Sequence, residues 1–151
     1  SPSELALAWG RGERMLDLPP LPEASVLLVI PDFGVGTAQA YEALARHRVR
    51  VPLAAGAAWR SPRALGSWTA VAADAVNDFE SVVFDDHPAL ATMRARLAAL
   101  PATVFAMMSG SGSTLFAVQT GAVASAGTIA LPAGWTALMT STAAQLATEV
   151  Y

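Results

Sequence analysis

The chain has 151 residues, of which 54% are hydrophobic and 14% are charged. This length and apolar content favour one domain with a substantial core over two full domains. Nine basic residues stand against twelve acidic ones, and the net charge of −3 predicts no surface for a nucleic-acid backbone or an anionic membrane. All nine cations are arginine, which excludes a lysine-dependent mechanism within these residues. The lack of cysteine excludes disulfides and cysteine zinc sites and fits a reducing compartment.

A long uncharged stretch raises the possibility of a membrane segment. Between Leu97 and Thr148 there is no charged residue and no histidine. Glycine, proline, serine and threonine interrupt the stretch and leave no apolar run of about 18 residues, the length that a membrane helix needs. Buried strands and a cytoplasmic location are the better interpretation. The start, Ser1-Pro2-Ser3-Glu4, lacks an initiator methionine and a secretory signal, so we expect a longer parent protein.

The first third of the chain predicts two short strands, a central strand and a helix. Leu5–Trp9 and Arg14–Leu18 are apolar-leaning runs that flank a Gly-Arg-Gly turn, a pattern typical of paired strands. Ser25–Ile30 is rich in β-branched residues and apolar on both faces, which predicts a central strand. After a glycine loop, Thr37 is placed to cap a helix that continues with apolar residues at helical spacing to about Arg48.

The rest of the chain predicts helices followed by strands. Residues 49–60 contain no pattern that assigns them to an element. Ser61-Pro62 is a favoured helix start, and this helix is expected to reach about Ala75. The later elements are predicted as a short helical piece from Asn77, a helix over Pro88–Leu100, strands over Thr103–Met108 and Thr114–Val118, a weak crossover helix over Thr120–Leu131, and a strand over Thr136–Thr140. This order indicates an α+β sandwich in which helices cover one face of an antiparallel sheet.

The sharpest chemical feature is the serine-glycine loop, Ser109–Thr114, which follows Met108 between two predicted strands. Its glycines permit positive φ and a close approach of the backbone to a ligand, while its hydroxyls and N–H groups can hold phosphate oxygens. A hairpin turn of small residues has the same composition. The motif alone leaves both interpretations open.

A second candidate is the first glycine loop, Pro31–Thr37, at the exit of a strand and the mouth of a helix. Free N–H groups and the helix dipole favour an anion at such a place. The loop fits neither the dinucleotide-binding pattern nor the Walker pattern, and a structural turn explains it as well. Tyr41, one turn into the helix, can stack on a nucleobase or pack in the core.

Two polar clusters have structural explanations. Asn77-Asp78-Phe79-Glu80 has the spacing of a capping box. Asp85-Asp86-His87-Pro88 contains metal-ligand residue types, but its consecutive side chains point in different directions, and aspartate before a proline-started helix is an ordinary N-terminus. No serine has a histidine and an acid at recognisable spacing, and the histidines show no metal-ligand pattern. We therefore predict neither a metal site nor a hydrolase.

Four motifs follow one another along nearly the whole chain: G-R-G-E with L-P at Gly10–Pro19, P-D-F-G-V-G-T-A-Q-A-Y at Pro31–Tyr41, N-D-F-E at Asn77–Glu80, and M-S-G-S-G-S-T-L-F-A-V at Met108–Val118. In this order they resemble the C-terminal half of a GHMP-superfamily kinase. Within the superfamily they are most similar to the diphosphocytidyl-methylerythritol kinases of the non-mevalonate isoprenoid pathway. One departure is Asp32, which stands where that family has glycine.

The resemblance implies a ferredoxin-like α+β sandwich and an enzyme that uses Mg²⁺ and transfers the γ-phosphoryl group of ATP to a hydroxyl of the cytidyl-linked methylerythritol. The family's ATP loop, catalytic aspartate and lysine lie in its N-terminal half. The resemblance therefore implies no catalytic residue here, and the chain alone is expected to be inactive. In the family the aromatic residue at the Tyr41 position stacks on cytosine, and the serine-glycine loop approaches the phosphates. The implied substrate-binding residues are Tyr41, Thr37, Ser109, Gly110, Ser111, Gly112, Ser113 and Thr114.

The expected organisation has two parts. Residues 1–24 form a strand pair and linker that pack on the missing N-terminal half of the kinase, and residues 25–151 form the substrate-binding domain. The expected partners are that half and a small-molecule substrate. Two alternatives remain: another GHMP kinase of homoserine or mevalonate type, because the third glycine motif is shared, and a non-catalytic ferredoxin-like domain whose loops bind an effector.

Overall fold

The computed structural model describes residues 6–9, 14–50, 65–121, 127 and 129–142. The elements in chain order are β1 (Ala6–Trp9), β2 (Arg14–Asp17), β3 (Ser25–Ile30), α1 (Thr37–Arg50), α2 (Trp68–Asp74), α3 (Glu80–Asp86), α4 (Pro88–Ala98), β4 (Thr103–Met108), β5 (Leu115–Gln119) and β6 (Thr136–Ser141). In this part of the chain no helix is long and apolar enough to cross a membrane.

The first two strands form a two-stranded antiparallel sheet in which Ala6 pairs with Asp17 and Trp9 with Arg14. The predicted strand pair is therefore confirmed. The Gly-Arg-Gly turn that was expected to join the strands lies outside the described residues.

The other four strands form one antiparallel sheet in the order β4-β5-β3-β6. The central position of β3 follows from its sequence, because a strand that is apolar on both faces needs cover on both sides. Leu27 pairs with Ala117 of β5 on one side and with Met139 of β6 on the other. The predicted antiparallel sheet and its central strand are thus confirmed.

The core lies on the sheet face that carries Leu27, Val29, Leu115 and Ala117, all fully buried. Strand residues on one face alternate with residues on the other, and this period of two places these four side chains together. Helices α1, α3 and α4 cover this face and contribute most of the remaining buried apolar side chains: Ala40, Leu44, Val82, Val83, Leu90, Met93 and Leu97. On α4 the buried residues Leu90, Met93 and Leu97 recur at helical spacing and form the face that packs against the sheet.

Helix α2 departs from the expectation that every helix lies on one face. The ring of Trp68 lies 6.5 Å from that of Phe105, and Phe105 contacts Phe116 edge to face. In the sheet register these two phenylalanines alternate with the buried residues Ala106 and Ala117, so they lie on the opposite face. Trp68 is also held by a hydrogen bond of 2.7 Å from its indole N–H to the carbonyl of Pro22.

The start of α2 also differs from the prediction. Residues 61–64 lie outside the described part, and residues 65–67 are not α-helical. The helix begins at Trp68 because Ser67 is in extended geometry and its hydroxyl accepts a hydrogen bond of 3.2 Å from the N–H of Ala70. The residue that caps α2 is therefore Ser67, whereas the sequence predicted a helix start at Ser61-Pro62.

Removal of this cap is expected to reduce stability. Ser67→Ala should lower the free energy of unfolding by about 1 kcal/mol, because one N–H of the first helical turn loses its acceptor. Chemical denaturation measures the change, and Ser67→Asp, which keeps an acceptor, is the matched control. Equal stabilities for the alanine and aspartate variants would show that the cap contributes nothing.

The remaining boundaries shift by one to three residues. Helix α1 extends to Arg50, α4 ends at Ala98 rather than Leu100, and β5 runs from Leu115 to Gln119. Helix boundaries fray, and the chain before Pro101 leaves the helix through a tighter turn, in which the N–H of Leu100 bonds to the carbonyl of Leu97. Of the predicted crossover helix, residues 122–126 and 128 lie outside the described part, and residues 120, 121, 127 and 129–131 are not α-helical.

Candidate functional site

A cleft of roughly 900 Å³ opens beside the end of edge strand β4. It is lined by α1, by the segment between α2 and α3, and by the start of the serine-glycine loop. Its lining residues are Tyr41, Leu44, Ala45, Arg48, Val76, Asn77, Asp78, Phe79, Met107, Met108, Ser109, Gly110 and Phe116. We call it the Tyr41 cleft. A concave, mostly apolar surface with a few polar groups is typical of a small-molecule site.

The ring of Tyr41 forms one wall of this cleft. Its side chain is 60% exposed, and its ring meets that of Phe79 edge to face with centroids 4.9 Å apart. Of the two interpretations from the sequence, core packing does not describe this residue. An aromatic ring that is largely exposed to solvent can stack on a planar ligand.

An ion pair stands beside this aromatic pair. The guanidinium of Arg48 donates to the carboxylate of Asp78, and both side chains are about half exposed. Arg48 comes from the last turn of α1, and Asp78 precedes α3. The pair joins these two elements at the surface, where such contacts contribute about 0–1 kcal/mol.

The serine-glycine loop turns the chain from β4 into β5. The N–H of Ser109 donates to the carbonyl of Thr114 at 2.8 Å, and the N–H of Gly112 donates to the carbonyl of Ser109 at 3.0 Å. Gly110 has φ +55° and Gly112 has φ +92°. Both angles lie in the region that favours glycine, as the prediction required.

The two glycine loops contact each other, although about 75 residues separate them in sequence. The hydroxyls of Thr37 and Ser111 are 3.2 Å apart and share a hydrogen bond at the surface. Ser113 is buried, and its hydroxyl donates to the carbonyl of Phe33. Ser113 thus joins the two loops, and the hypothesis that both loops face one ligand stays a prediction, because no residue of Pro31–Thr37 is among the lining residues of the Tyr41 cleft.

The predicted substrate-binding residues divide into two groups. Tyr41, Ser109 and Gly110 line the cleft, whereas Thr37, Ser111, Gly112, Ser113 and Thr114 are not among its lining residues. Thr37 was expected to cap α1, but the N–H of Ala40 bonds to the carbonyl of Gly36, so the helix begins one residue earlier. Its hydroxyl contacts Ser111 instead of the helix backbone.

The N-D-F-E segment does not form the predicted capping box, because Phe79 is the N-cap of α3 and no side chain caps this helix. The side-chain oxygen of Asn77 accepts from the N–H of Phe79 at 3.0 Å. The carboxylate of Glu80 does not return to Asn77 but accepts from the N–H of Met108 at 2.7 Å. The amide nitrogen of Asn77 donates to the carbonyls of Met108 and Gly110, each at 2.8 Å. The motif therefore joins α3 to the loop, a role that its local spacing does not reveal.

One member of the Asp85-Asp86-His87 cluster contacts the first glycine loop. The His87 ring stacks on Phe33 with centroids 5.0 Å apart, which places it against the first glycine loop. Within the described ranges no group of three or more histidine, aspartate or glutamate side chains could hold a metal ion.

We expect the buried hydroxyl of Ser113 to contribute more to the free energy of unfolding than the exposed hydroxyl of Ser111. Ser113→Ala leaves the Phe33 carbonyl without its donor in a buried place and should lower the free energy of unfolding by about 1–3 kcal/mol. Ser111→Ala removes an exposed hydrogen bond and should cost about 0.5 kcal/mol. Thermal unfolding of the two variants side by side tests this order, and a larger loss for Ser111→Ala would contradict it.

The fold and the cleft together define an α+β domain with a candidate small-molecule site beside a glycine-rich loop. Among curated proteins the chain is similar to the 4-diphosphocytidyl-2-C-methyl-D-erythritol kinase of Solibacter usitatus, with 42% identity over 74% of this chain and 35% of the relative. The kinase of Pelobacter propionicus has 36% identity over 91% of this chain and 48% of the relative. The kinase of Rhodopseudomonas palustris has 34% identity over 77% of this chain and 41% of the relative.

A solved structure agrees with these relatives. The crystal structure of a 4-(cytidine 5'-diphospho)-2C-methyl-D-erythritol kinase superposes with a TM-score of 0.54 and 28% identity, covering 75% of this chain and 40% of that one. No family model matches the chain. The chain is thus similar to the C-terminal part of the 4-diphosphocytidyl-2-C-methyl-D-erythritol kinases. It spans between about a third and a half of the length of these relatives.

Proposed function

We propose that this chain is the substrate-binding part of an ATP-dependent kinase that phosphorylates 4-diphosphocytidyl-2-C-methyl-D-erythritol in non-mevalonate isoprenoid biosynthesis. The observation that carries the proposal is the Tyr41 cleft, where an open aromatic ring and the start of a glycine-rich loop line one surface. A ligand with a nucleobase at one end and phosphates at the other matches this pairing of groups. The names of the relatives give the substrate.

In this proposal Tyr41 binds the cytosine face to face, a contact that contributes about 1–3 kcal/mol per base. Ser109 and Gly110 offer hydroxyl and backbone groups to the phosphates from the far end of the cleft. Gly112, Ser113, Thr37 and Ser111 hold that loop against the first glycine loop, and Thr114 closes the turn. Binding energy from these groups would hold the acceptor hydroxyl in place for transfer.

The phosphoryl transfer itself is assigned to an N-terminal half. The described residues place no carboxylate or cation in the serine-glycine loop and offer no metal cluster of their own. They do not fit a Mg²⁺ site, so the metal would enter with ATP and be held outside this chain. The chain alone is then inactive, and the activity belongs to the compartment that supplies ATP, the cytoplasm.

The two parts of the chain are proposed to play different roles. The four-stranded order β4-β5-β3-β6, with α1 between β3 and β4, supports a ferredoxin-like arrangement for residues 25–151. Among the described strands β1 and β2 pair only with each other, and the adjacent residues Met15 and Leu16 expose 66% and 42% of their surface. Adjacent strand residues point to opposite faces, so β2 exposes apolar side chains on both, as expected if residues 1–24 pack on an N-terminal half.

Calorimetric titration of the full-length protein tests the substrate. Separate titrations use 4-diphosphocytidyl-2-C-methyl-D-erythritol, homoserine and mevalonate. We expect binding of the cytidyl compound alone, because only this ligand can stack on Tyr41. Binding of homoserine or mevalonate without the cytidyl compound would favour another GHMP kinase and overturn the proposal.

A further inference from the structure

Edge strand β4 ends in an unusual way, because both main-chain polar groups of its last residue are bound by side chains from another element. The N–H of Met108 donates to Glu80 at 2.7 Å, and its carbonyl accepts from Asn77 at 2.8 Å. A sheet edge ordinarily presents such groups to solvent or to a neighbouring strand. Here the N-D-F-E segment takes the place of that strand at the point where the serine-glycine loop begins.

The amide of Asn77 reaches across this junction. Its two N–H donors bond to the carbonyls of Met108 and Gly110, so it spans the end of the strand and the first glycine of the loop. Its oxygen accepts from the N–H of Phe79 at 3.0 Å, which fixes which way the amide points. Every hydrogen of this amide nitrogen therefore has a partner, and the carbonyl of Gly110 is held while that residue keeps φ +55°.

Glu80 secures the same junction from the start of α3. One carboxylate oxygen accepts from Met108, and the other lies 3.9 Å from the buried guanidinium nitrogen Nε of Arg94. The Glu80 side chain is only 17% exposed, so its charge-assisted hydrogen bond is partly shielded from water. Asn77 and Glu80 therefore hydrogen-bond to three main-chain groups: the N–H and the carbonyl of Met108 at the end of β4, and the carbonyl of Gly110 in the loop.

We propose that Asn77 and Glu80 are positioning residues for substrate binding: they order the serine-glycine loop through the main chain of Met108 and Gly110. This inference rests on the proposed function. Asn77, Ser109 and Gly110 line the same cleft, so the loop's backbone groups are presented beside the residue that holds them. Loop groups that are fixed before the ligand arrives cost less ordering on binding.

The test uses full-length protein carrying Asn77→Asp, Glu80→Ala or Glu80→Gln. Asn77→Asp keeps the size of the side chain and the acceptor for Phe79 but turns a carboxylate oxygen toward two carbonyls. Glu80→Ala removes the acceptor of Met108, and Glu80→Gln restores one. Ser81→Ala is the matched control, because the exposed Ser81 hydroxyl lies in the same turn and donates to the carbonyl of Asp78 without touching the loop.

Three quantities are measured for each variant: KM and kcat with the cytidyl acceptor, the unfolding midpoint, and hydrogen exchange over residues 107–114. We expect Asn77→Asp and Glu80→Ala to raise KM about tenfold, as the loss of one or two such hydrogen bonds predicts, and to speed exchange in the loop. Their kcat should stay within about threefold of the parent value, because no group that touches the reacting atoms has changed. Glu80→Gln and Ser81→Ala should match the parent protein in KM and exchange.

The inference fails if Asn77→Asp and Glu80→Ala lower the unfolding midpoint while KM and loop exchange equal those of Ser81→Ala. That result would make the two side chains merely structural. If Asn77→Asp does not fold, the comparison of Glu80→Ala with Glu80→Gln decides. A parent protein without phosphotransfer would disprove the proposed function instead, and loop exchange alone would then show whether the two residues order the loop.

Discussion

Gly112→Ala is expected to destabilise the protein by about 2–4 kcal/mol, because two separate costs add at this position. The backbone of Gly112 has φ +92°, a conformation that residues with a Cβ rarely adopt. A Cβ there would also stand 2.8 Å from the sulfur of Met108 and 3.5 Å from a methyl of Val35. Only the sulfur lies closer than an ordinary contact, and because Met108 is 1% exposed its side chain has little room to move aside.

Gly121→Ala provides a control with the same backbone strain. Gly121 has φ +89°, and a Cβ there would meet no atom of the described residues within 4 Å. Its substitution should cost only about 1–2 kcal/mol, the strain term alone. Thermal or chemical unfolding of the two variants gives the difference, which isolates the contact with Met108 and Val35. Equal losses at the two glycines would show that the loops are not tightly packed at Gly112.

The second large effect is expected on the affinity for the ligand and not on the free energy of unfolding. Tyr41→Ala in the full-length protein should weaken binding of a cytidine nucleotide by about 1–3 kcal/mol, equivalent to roughly 5-fold to 150-fold in Kd. The stability change should be small, because the ring is 60% exposed and loses only its edge contact with Phe79. Calorimetry with cytidine diphosphate measures the affinity, and thermal unfolding measures the stability.

Tyr41→Phe separates stacking from hydrogen bonding at this position. It keeps the aromatic face and should bind the nucleotide within about threefold of the parent protein if stacking provides the contact. A loss of affinity in Tyr41→Phe as large as in Tyr41→Ala would assign the interaction to the hydroxyl. Unchanged affinity in both variants would remove Tyr41 from the site.

The sequence predicted the parts of the fold that depend on local pattern. The bounds of β3 and β4 agree with the prediction residue for residue, because β-branched runs that end in proline, aspartate or serine-glycine turns are specified by neighbours in sequence. The positive φ of Gly110 and Gly112 follows in the same way from the turn that joins two antiparallel strands.

The features that the sequence did not predict depend on contacts between distant segments. Glu80 has the local spacing of a capping residue, but its partner, Met108, lies 28 residues away. The placement of Trp68 depends on Phe105 of β4 and on the carbonyl of Pro22, which no local pattern connects to it. Likewise, the burial of Ser113 depends on the first glycine loop, 80 residues earlier. Hydrogen bonds of this kind exist only once the sheet has brought their partners together.

The most direct test of the proposed function is the reaction of the full-length protein with ATP and 4-diphosphocytidyl-2-C-methyl-D-erythritol, followed by phosphorus NMR. The proposal predicts a new phosphate monoester on the acceptor for each ADP formed. It also predicts that Tyr41→Ala slows the reaction chiefly at low acceptor concentration. Cytidine binding without any new ester would instead identify a ligand-binding domain and contradict the assignment to a kinase.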